Sequence, residues 1–236
     1  MSDVKTMPRS RRDRARATRR RILDAAYELF GEDGYVGTTM DGIARRAGVA
    51  VQTVYFVFHT KGELLRALTE STAAGETDAR PVPEQSWFRE ALATPDPRRT
   101  IALSAEHGTD VLARLAPLIE AIRTASPNDQ DLASWYRGAV RGRRGGMQLW
   151  VEALAARAAL RPGLSIERAT DILFVVENPE TFRTLTHECR WSLVEFKAWV
   201  YWTLCEQLLS PNLAVVDQLV PPTAGLSFDS LVGSLS

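Results

Sequence analysis

The chain has 236 residues, of which 45% are apolar and 25% are charged, and its formal net charge is zero. This composition is typical of an ordinary globular protein and excludes a disordered chain, a fibre and a disulfide-rich scaffold. No apolar run approaches the roughly 18 residues that span a bilayer, and the basic N-terminus lacks the apolar core of a secretory signal, so we expect a cytoplasmic protein without a membrane partner.

Positive charge is concentrated at the N-terminus. Residues 1–21 carry nine basic side chains and only two acidic ones, and residues 1–66 carry a net charge of +5 that the rest of the chain balances. Residues 1–15 are polar and aperiodic, so we expect a disordered arm there. A basic segment on an otherwise acidic chain favours a polyanionic partner. The arginines of this segment, Arg14 and Arg16 among them, either follow a DNA duplex or only keep the arm solvated.

Residues 16–66 have the apolar spacing of short helices. The first helix is predicted from Arg16, and Gly31 and Gly34 are predicted to end it. Thr39 offers an N-cap for a second helix, which has apolar residues at i, i+3, i+4 and i+7 and ends at Gly48.

A third short helix is predicted from about Ala50, with Val54, Tyr55 and Phe58 packing inward. Together with the second helix and the glycine-containing turn between them, it forms a helix-turn-helix. Thr60 is a candidate cap for the next helix, which begins at Lys61.

Beyond residue 66 the pattern predicts helices and almost no strands. A short Gly- and Pro-rich stretch marks a boundary near residues 75–84, and residues 211–236 are expected to form a loose tail. The fold class is therefore all-α. Helical segments are predicted at 84–93, 98–124 with a break or bend at Pro117, 128–160, 166–177 with Ser165 as its cap, 179–187 and 192–209.

Residues 19–68 carry a specific motif constellation: Gly34-Tyr35, Thr38-Thr39, Ile43-Ala44, Ala47-Gly48-Val49, Thr53-Val54-Tyr55, Phe58, and Lys61 before Leu64. This stretch resembles the N-terminal DNA-binding domain of TetR-type transcriptional regulators. The resemblance implies a three-helix DNA-binding domain over residues 16–66, with a helix-turn-helix. It also implies a helical effector-binding and dimerisation domain over residues 67–210.

The third helix is the predicted recognition helix. Gln52 can pair with adenine through its amide, and Phe56 or Val51 can contact a thymine methyl group. The resemblance implies that Thr53, Tyr55 and Lys61 meet phosphates, although Tyr55 can equally pack in the core and Thr39 can act only as a cap. The predicted DNA-binding residues are Thr39, Val51, Gln52, Thr53, Tyr55, Phe56, His59 and Lys61, with Arg14 and Arg16 from the arm. Val51, Phe56 and His59 depart from the common family pattern.

A ligand cavity is predicted between the helices at 98–124, 128–160 and 166–177. Four glycines interrupt the 128–160 helix, and each costs roughly 1 kcal/mol relative to alanine. Close approach of a ligand or of a neighbouring helix would offset that cost. The arginines of this helix form either an anion-binding wall or a solvated face, and its aromatic residues either line the cavity or pack in the core. The predicted lining is Trp135, Arg141, Arg144, Met147, Trp150 and Phe174.

The predicted helix at 192–209 is apolar on two faces, and both must be buried. One face can meet the core of its own subunit, and the other can meet a second copy of the chain, with the segment at 166–187 contributing. The resemblance implies such an interface, and two-fold pairing explains the reading of a palindromic site. The predicted interface residues are Phe196, Trp199, Val200, Trp202 and Leu204.

Signs of enzyme chemistry are absent from the sequence. The three histidines lie far apart, no phosphate- or dinucleotide-binding glycine motif occurs, and the two cysteines suit a reducing compartment. We predict no catalytic residue, cofactor or metal. The predicted function is that of a homodimeric repressor, which a small-molecule effector releases from double-stranded operator DNA. A constitutive dimeric regulator without a ligand is an alternative, as is a small-molecule enzyme or carrier built on the helical body.

Overall fold

A computed structural model describes residues 11–75, 80–211 and 213 of the chain. The predicted C-terminal tail and the first ten residues of the predicted arm lie outside this part, apart from Pro211 and Leu213. The chain divides into two compact units. The first comprises Met1–Glu70 and Pro117–Tyr136, and the second comprises Ser71–Ala116 and Arg137–Ser236. The expected boundary after residue 66 lies close to the first of these limits, but the expected domains did not assign residues 117–136 to the N-terminal unit.

The described residues are helical, and the one β-bridge recorded among them joins Leu160 to Leu209. This confirms the all-α class. Two π-helical segments, Ser104–Gly108 and Thr184–Glu188, lie between α-helices. The helices are α1 Arg11–Gly37, α2 Met40–Ala47, α3 Val51–Val57, α4 Lys61–Ala74, α5 Ser86–Ala93, α6 Pro97–Leu103, α7 Thr109–Ala125, α8 Gln130–Ala156, α9 Ile166–Val176, α10 Pro179–Arg183 and α11 Leu193–Leu208.

Helix α1 begins at Arg11, five residues before the expected start. Arginine and alanine dominate residues 11–21, and both are strong helix formers, so the helix continues beyond its apolar stripe. The prediction that Gly31 ends the helix is wrong, because the chain stays helical there. Gly34 interrupts it, with φ 65° and ψ −175°, a conformation that only glycine adopts without strain.

Local capping signals in the first unit act as the sequence predicts. The Thr39 Oγ1 accepts a hydrogen bond from the Gly42 N–H at 3.0 Å, and Gly48 ends α2 in the left-handed region with φ 65°. The Thr60 Oγ1 accepts from the Glu63 N–H at 3.0 Å and so caps α4. These caps fix the short turns of the helix-turn-helix.

Pro117 lies inside α7, so the predicted helix is not broken there. The break in the predicted 98–124 helix instead lies at the π-helical segment Ser104–Gly108. Helix α8 ends at Ala156 rather than at residue 160, and Ser165 caps α9 by accepting from the Arg168 N–H at 3.2 Å.

The core of the second unit combines side chains from most of its helices. Trp150 of α8 packs on Phe88 of α5, with ring centroids 4.9 Å apart. Phe182 and Phe196 meet edge to face at 5.1 Å, and Tyr201 of α11 is fully buried in the same cluster. Burial of these aromatic rings stabilises the unit.

Candidate nucleic-acid interface

Helix α3 is anchored by one face and leaves the other exposed. Val54 and, just beyond the helix, Phe58 are buried, and they lie four residues apart on the inward side. Gln52 and Tyr55 are exposed, and Phe56 is 83% exposed. The expectation that Tyr55 packs inward is wrong, because it follows Val54 by one position and is rotated about 100° away around the helix. Half of its surface is free to meet a ligand such as DNA.

The remaining predicted contact residues lie around the same helix. Val51 and Thr53 are partly buried, and His59 is exposed in the turn after α3. Arg19 of α1 lies over the Phe58 ring, with its guanidinium carbon 4.4 Å from the ring centroid. This contact fixes the C-terminal end of α3 against α1.

The turn between α1 and α2 is held by internal hydrogen bonds. The buried Thr38 hydroxyl lies 3.0 Å from the Leu29 carbonyl oxygen and 2.7 Å from the Gly34 carbonyl oxygen, and it donates its single hydrogen to one of the two. The Lys61 ammonium donates to the carbonyl oxygens of Tyr35 at 2.6 Å and of Thr38 at 2.8 Å. The turn therefore presents the N-terminus of α2 in one defined orientation.

Lys61 was predicted to meet a DNA phosphate, but two of its three N–H donors are used inside the protein. Its ammonium also lies 4.1 Å from the centroid of the Tyr35 ring, and burial lowers the pKa of the group. Lys61 thus acts first as a residue that positions the turn. Its spacing before Leu64 gave no signal of this role.

The two arginines of α2 are engaged in ion pairs. Arg46 reaches Glu28 at 2.7 Å and Glu32 at 3.0 Å on α1, and Arg45 pairs with Asp41. These pairs are solvent-exposed, so they contribute little to stability. The Arg46 pairs join α2 to α1, whereas the Arg45 pair lies within α2.

A cleft of about 280 Å³ opens beside the N-terminus of α2. Thr39 lies at this helix start, where the helix dipole and unpaired N–H groups favour an anion. The cap role of Thr39 and a phosphate contact are compatible here, because the backbone N–H groups remain directed outward from the helix end. The cleft is lined by Leu29, Asp33, Gly37, Thr38, Thr39, Gly42, Arg45 and Arg46.

Basic side chains are concentrated at the start of α1. Arg11, Arg12, Arg14 and Arg16 are exposed and helical. The expectation of a disordered arm up to residue 15 is therefore wrong for residues 11–15. Arg14 and Arg16 project from a helix rather than from a flexible segment.

Comparison with known proteins identifies the family. Residues 22–68 match the family model described as "Bacterial regulatory proteins, tetR family". The HTH-type transcriptional regulator YdeS of Bacillus subtilis (strain 168), itself uncharacterized, is 30% identical over 164 residues, which cover 69% of this chain and 77% of YdeS. This chain belongs to the TetR family.

Further relatives and solved structures agree with that membership. TtgW of Pseudomonas putida is 45% identical over 65 residues, which cover 28% of this chain and 48% of TtgW, about half of that relative. The SmeT–triclosan complex has a TM-score of 0.66 at 22% identity and covers 89% of this chain and 100% of that chain. SmeT is described as the repressor of the Stenotrophomonas maltophilia multidrug efflux pump SmeDEF, and that structure has a TM-score of 0.62 at 20% identity, covering 90% of this chain and 98% of the other. These structures establish the fold.

As a TetR-family member, the protein is a DNA-binding transcriptional regulator and not an enzyme. Within the described ranges, no group of three or more His, Cys, Asp or Glu side chains is placed to hold a metal ion. None of the helices described here is both long and apolar enough to cross a lipid bilayer.

The predicted ligand-pocket residues of this TetR-family regulator are distributed over both units. Trp135 belongs to the first unit, where its indole N–H donates to the Glu70 carboxylate at 3.1 Å. In the second unit Met147 and Trp150 are buried in the core cluster, and Phe174 packs against it. Arg141 is exposed, and Arg144 pairs with Asp171 at 2.7 Å.

The predicted dimer-interface residues divide by burial. Phe196, Val200 and Leu204 are fully buried within the second unit of the protomer, so their assignment to an intersubunit surface is wrong. They form the stripe of α11 that meets its own core. Trp199 and Trp202 are partly exposed, and each also packs against the core cluster.

A buried polar cluster in the second unit was not predicted. Glu177, just after α9, is 2% exposed, and its Oε1 accepts a hydrogen bond from the Ser104 hydroxyl at 2.5 Å. Burial raises the pKa of Glu177 to about 8, and the Ser104 hydrogen bond and the Arg143 charge only partly oppose this. The Arg143 guanidinium donates to the Glu177 carbonyl at 2.9 Å and lies 4.3 Å from the Phe174 ring centroid. In the sequence, the apolar run before Glu177 was the available signal of its burial.

Proposed function

We propose that this TetR-family regulator is a homodimeric repressor that binds a palindromic operator in the cytoplasm and is released by a small apolar molecule. The observation that carries the proposal is the exposed face of α3. This face presents Gln52, Tyr55 and Phe56 from a helix whose opposite side is locked into the first unit. A short helix anchored in this way fits the major groove.

Support for a homodimer comes from exposed apolar side chains of the second unit. Val175 on α9 is 61% exposed, and Ile166, Leu193 and Val194 on α9 and α11 are also exposed. Helices α9 and α11 pack against each other within the unit, so these side chains belong to neighbouring elements. A self-complementary apolar surface on one protomer closes into a two-fold dimer.

Support for an effector comes from unpaired polar atoms in the second unit. The indole N–H of Trp150 and the hydroxyl of Thr109 are buried without a hydrogen-bond partner among the described residues. An unsatisfied buried donor costs about 1–3 kcal/mol, and an acceptor atom on a ligand would recover part of this. Because Arg144 already pairs with Asp171, we propose a neutral, largely apolar effector rather than an anionic one.

The DNA part of the proposal is tested by selecting duplexes from a random pool with the full-length protein. We expect a palindromic sequence, bound with an affinity that falls steeply as salt concentration rises. Gln52→Ala should reduce the preference for adenine at one position of each half-site by roughly fivefold or more. Gln130→Ala, an exposed glutamine of the first unit outside α3, is the matched control. An unchanged preference profile in Gln52→Ala would contradict the assignment of Gln52.

The effector part is tested on the selected duplex. SmeT has been solved with triclosan, so triclosan is the first probe, followed by a library of apolar compounds. We expect at least one compound to raise the melting temperature and to release the duplex, and Trp150→Phe to weaken both effects. If no compound releases the duplex, the constitutive dimeric regulator is the better description.

A further inference from the structure

Helix α3 carries no charged side chain. Its seven residues, VQTVYFV, offer one amide, two hydroxyl groups and apolar surface. Guanine is most often read by Arg or Lys, and cytosine by Asp or Glu, and α3 contains none of these. The groups that α3 does offer suit A·T pairs, in which adenine pairs with a side-chain amide and thymine presents a methyl group.

Phe56 is the most exposed apolar side chain of α3. Its ring is 83% exposed, whereas Val54 is fully buried and Val51 is partly buried. The packing of α3 on the first unit depends on Val54 and Phe58, so the fold alone does not account for an aromatic ring at position 56. Of the two side chains that the sequence offered for a thymine methyl contact, the structure favours Phe56 over Val51.

Gln52 and Phe56 lie on one face of α3, because they are four residues apart and both are exposed. A helix rises 1.5 Å per residue, so about 6 Å separates the two positions along the axis. Stacked base pairs are about 3.4 Å apart. The two side chains therefore reach bases about two base pairs from each other.

We propose that Phe56 is a specificity determinant of the operator. It contacts the C5-methyl group of a thymine about two base pairs from the adenine that Gln52 reads. The inference rests on the proposed function, since it requires α3 in the major groove. The methyl group is the feature that distinguishes thymine from every other DNA base in this groove. Burying this methyl group against an apolar ring is favourable.

The test uses the duplex that the full-length protein selects, with each thymine replaced in turn by deoxyuridine. This replacement removes only the methyl group and keeps all hydrogen-bonding atoms. We expect one position in each half-site where the replacement weakens wild-type binding by roughly fourfold, equivalent to about 0.8 kcal/mol for one buried carbon group. In Phe56→Ala the replacement should have no effect at that position, and this variant should fold because the ring is exposed.

Val36→Ala is the matched control, because Val36 is 79% exposed in the first unit but lies before α2. It should keep the deoxyuridine sensitivity of the wild type. A parallel scan with 7-deazaadenine, which removes the N7 acceptor, should locate the Gln52 position about two base pairs from the sensitive thymine.

The possible failures are distinguishable. If duplexes are selected but no thymine is sensitive to deoxyuridine, the inference about Phe56 is overturned and the proposed function stands. If Val51→Ala rather than Phe56→Ala removes the sensitivity to deoxyuridine, Val51 contacts the thymine methyl group and the inference is also overturned. If the full-length protein selects no duplex, the proposed function fails, and this inference fails with it.

Discussion

At the scale of single residues, burial changes the acid–base chemistry of Glu177. Its carboxyl group lies between Ser104 and Gly108, where a Cβ added at Gly108 would be 2.9 Å from Oε2. The carboxyl oxygens are therefore enclosed by the π-helical segment that carries both of these residues. With the pKa raised to about 8, the group is largely protonated at neutral pH.

We expect the stability of the protein to depend on this proton. In the folded state Glu177 keeps its proton up to about pH 8, while in the unfolded state the carboxyl releases it near 4.5. Between these pH values the folded state therefore binds more protons than the unfolded state. The contribution of Glu177 to the free energy of unfolding falls as pH rises through this window. Glu177→Gln mimics the neutral carboxyl and removes this dependence. Between pH 4.5 and 8 the free energy of unfolding of the wild type should therefore fall by roughly 3–5 kcal/mol relative to that of the variant.

Urea unfolding of both proteins at several pH values measures this difference. Glu167→Gln, an exposed glutamate at the start of α9, is the control and should follow the wild type. Parallel pH profiles for the wild type and Glu177→Gln would show that the carboxyl ionises in the folded protein at its ordinary pKa.

At the scale of helices, local signals were predictable and tertiary ones were not. The caps at Thr39, Gly48 and Ser165 depend on a few neighbouring residues, so the sequence indicated each of them. The π-helical break at Ser104–Gly108 contacts Glu177, 73 residues away from Ser104, and no local pattern reports it. The helical period placed Val54 and Phe58 on the inward side of α3, but the internal role of Lys61 required the carbonyl oxygens of a distant turn.

Gly34 and Gly31 of α1 provide a paired test of backbone strain. Gly34 has a positive φ, and a Cβ added there meets no atom within 4 Å, so the cost of Gly34→Ala is purely conformational. We expect it to lower the free energy of unfolding by about 1–3 kcal/mol. Gly31 is helical, and its added Cβ would lie an acceptable 3.8 Å from Pro117 Cβ, so Gly31→Ala should raise stability by up to about 1 kcal/mol.

Chemical unfolding followed by circular dichroism measures both variants. Opposite signs for the two substitutions are the expected outcome. Equal stability of Gly34→Ala and the wild type would mean that the break in α1 is not required by the fold.

At the scale of the whole molecule, the all-α class and the two-part organisation followed from periodicity and from the family resemblance. That residues 117–136 belong to the first unit could not be predicted, because chain order does not reveal which segment returns to pack on an earlier one. The dimer surface was predicted on a helix that does keep Trp199 and Trp202 partly exposed. It was misassigned for Phe196, Val200 and Leu204, because both stripes of α11 are apolar and hydrophobicity alone does not tell them apart.

The proposed dimer is tested by placing a charge on the exposed apolar surface. Val175→Glu should fold normally, since Val175 is 61% exposed, but should raise the dimer dissociation constant by roughly tenfold or more, because a carboxylate would be desolvated in the interface. Leu149→Glu, at a 45% exposed position on α8, is the control. Sedimentation of the wild type as a monomer at micromolar concentration would contradict the dimer and, with it, the palindromic operator.

The absence of charge on α3 separates two properties that many DNA-binding proteins combine in one helix. Under the proposed function, attraction to the phosphate backbone would reside on other elements of the first unit, such as the arginine-rich start of α1, while base preference would reside on α3. Substitutions in α3 can therefore change which genes the regulator controls without altering the salt-dependent affinity with which it searches the chromosome. In evolutionary terms, a duplicated copy of this gene could acquire a new operator through a few changes in one short helix, while its non-specific search for DNA is preserved.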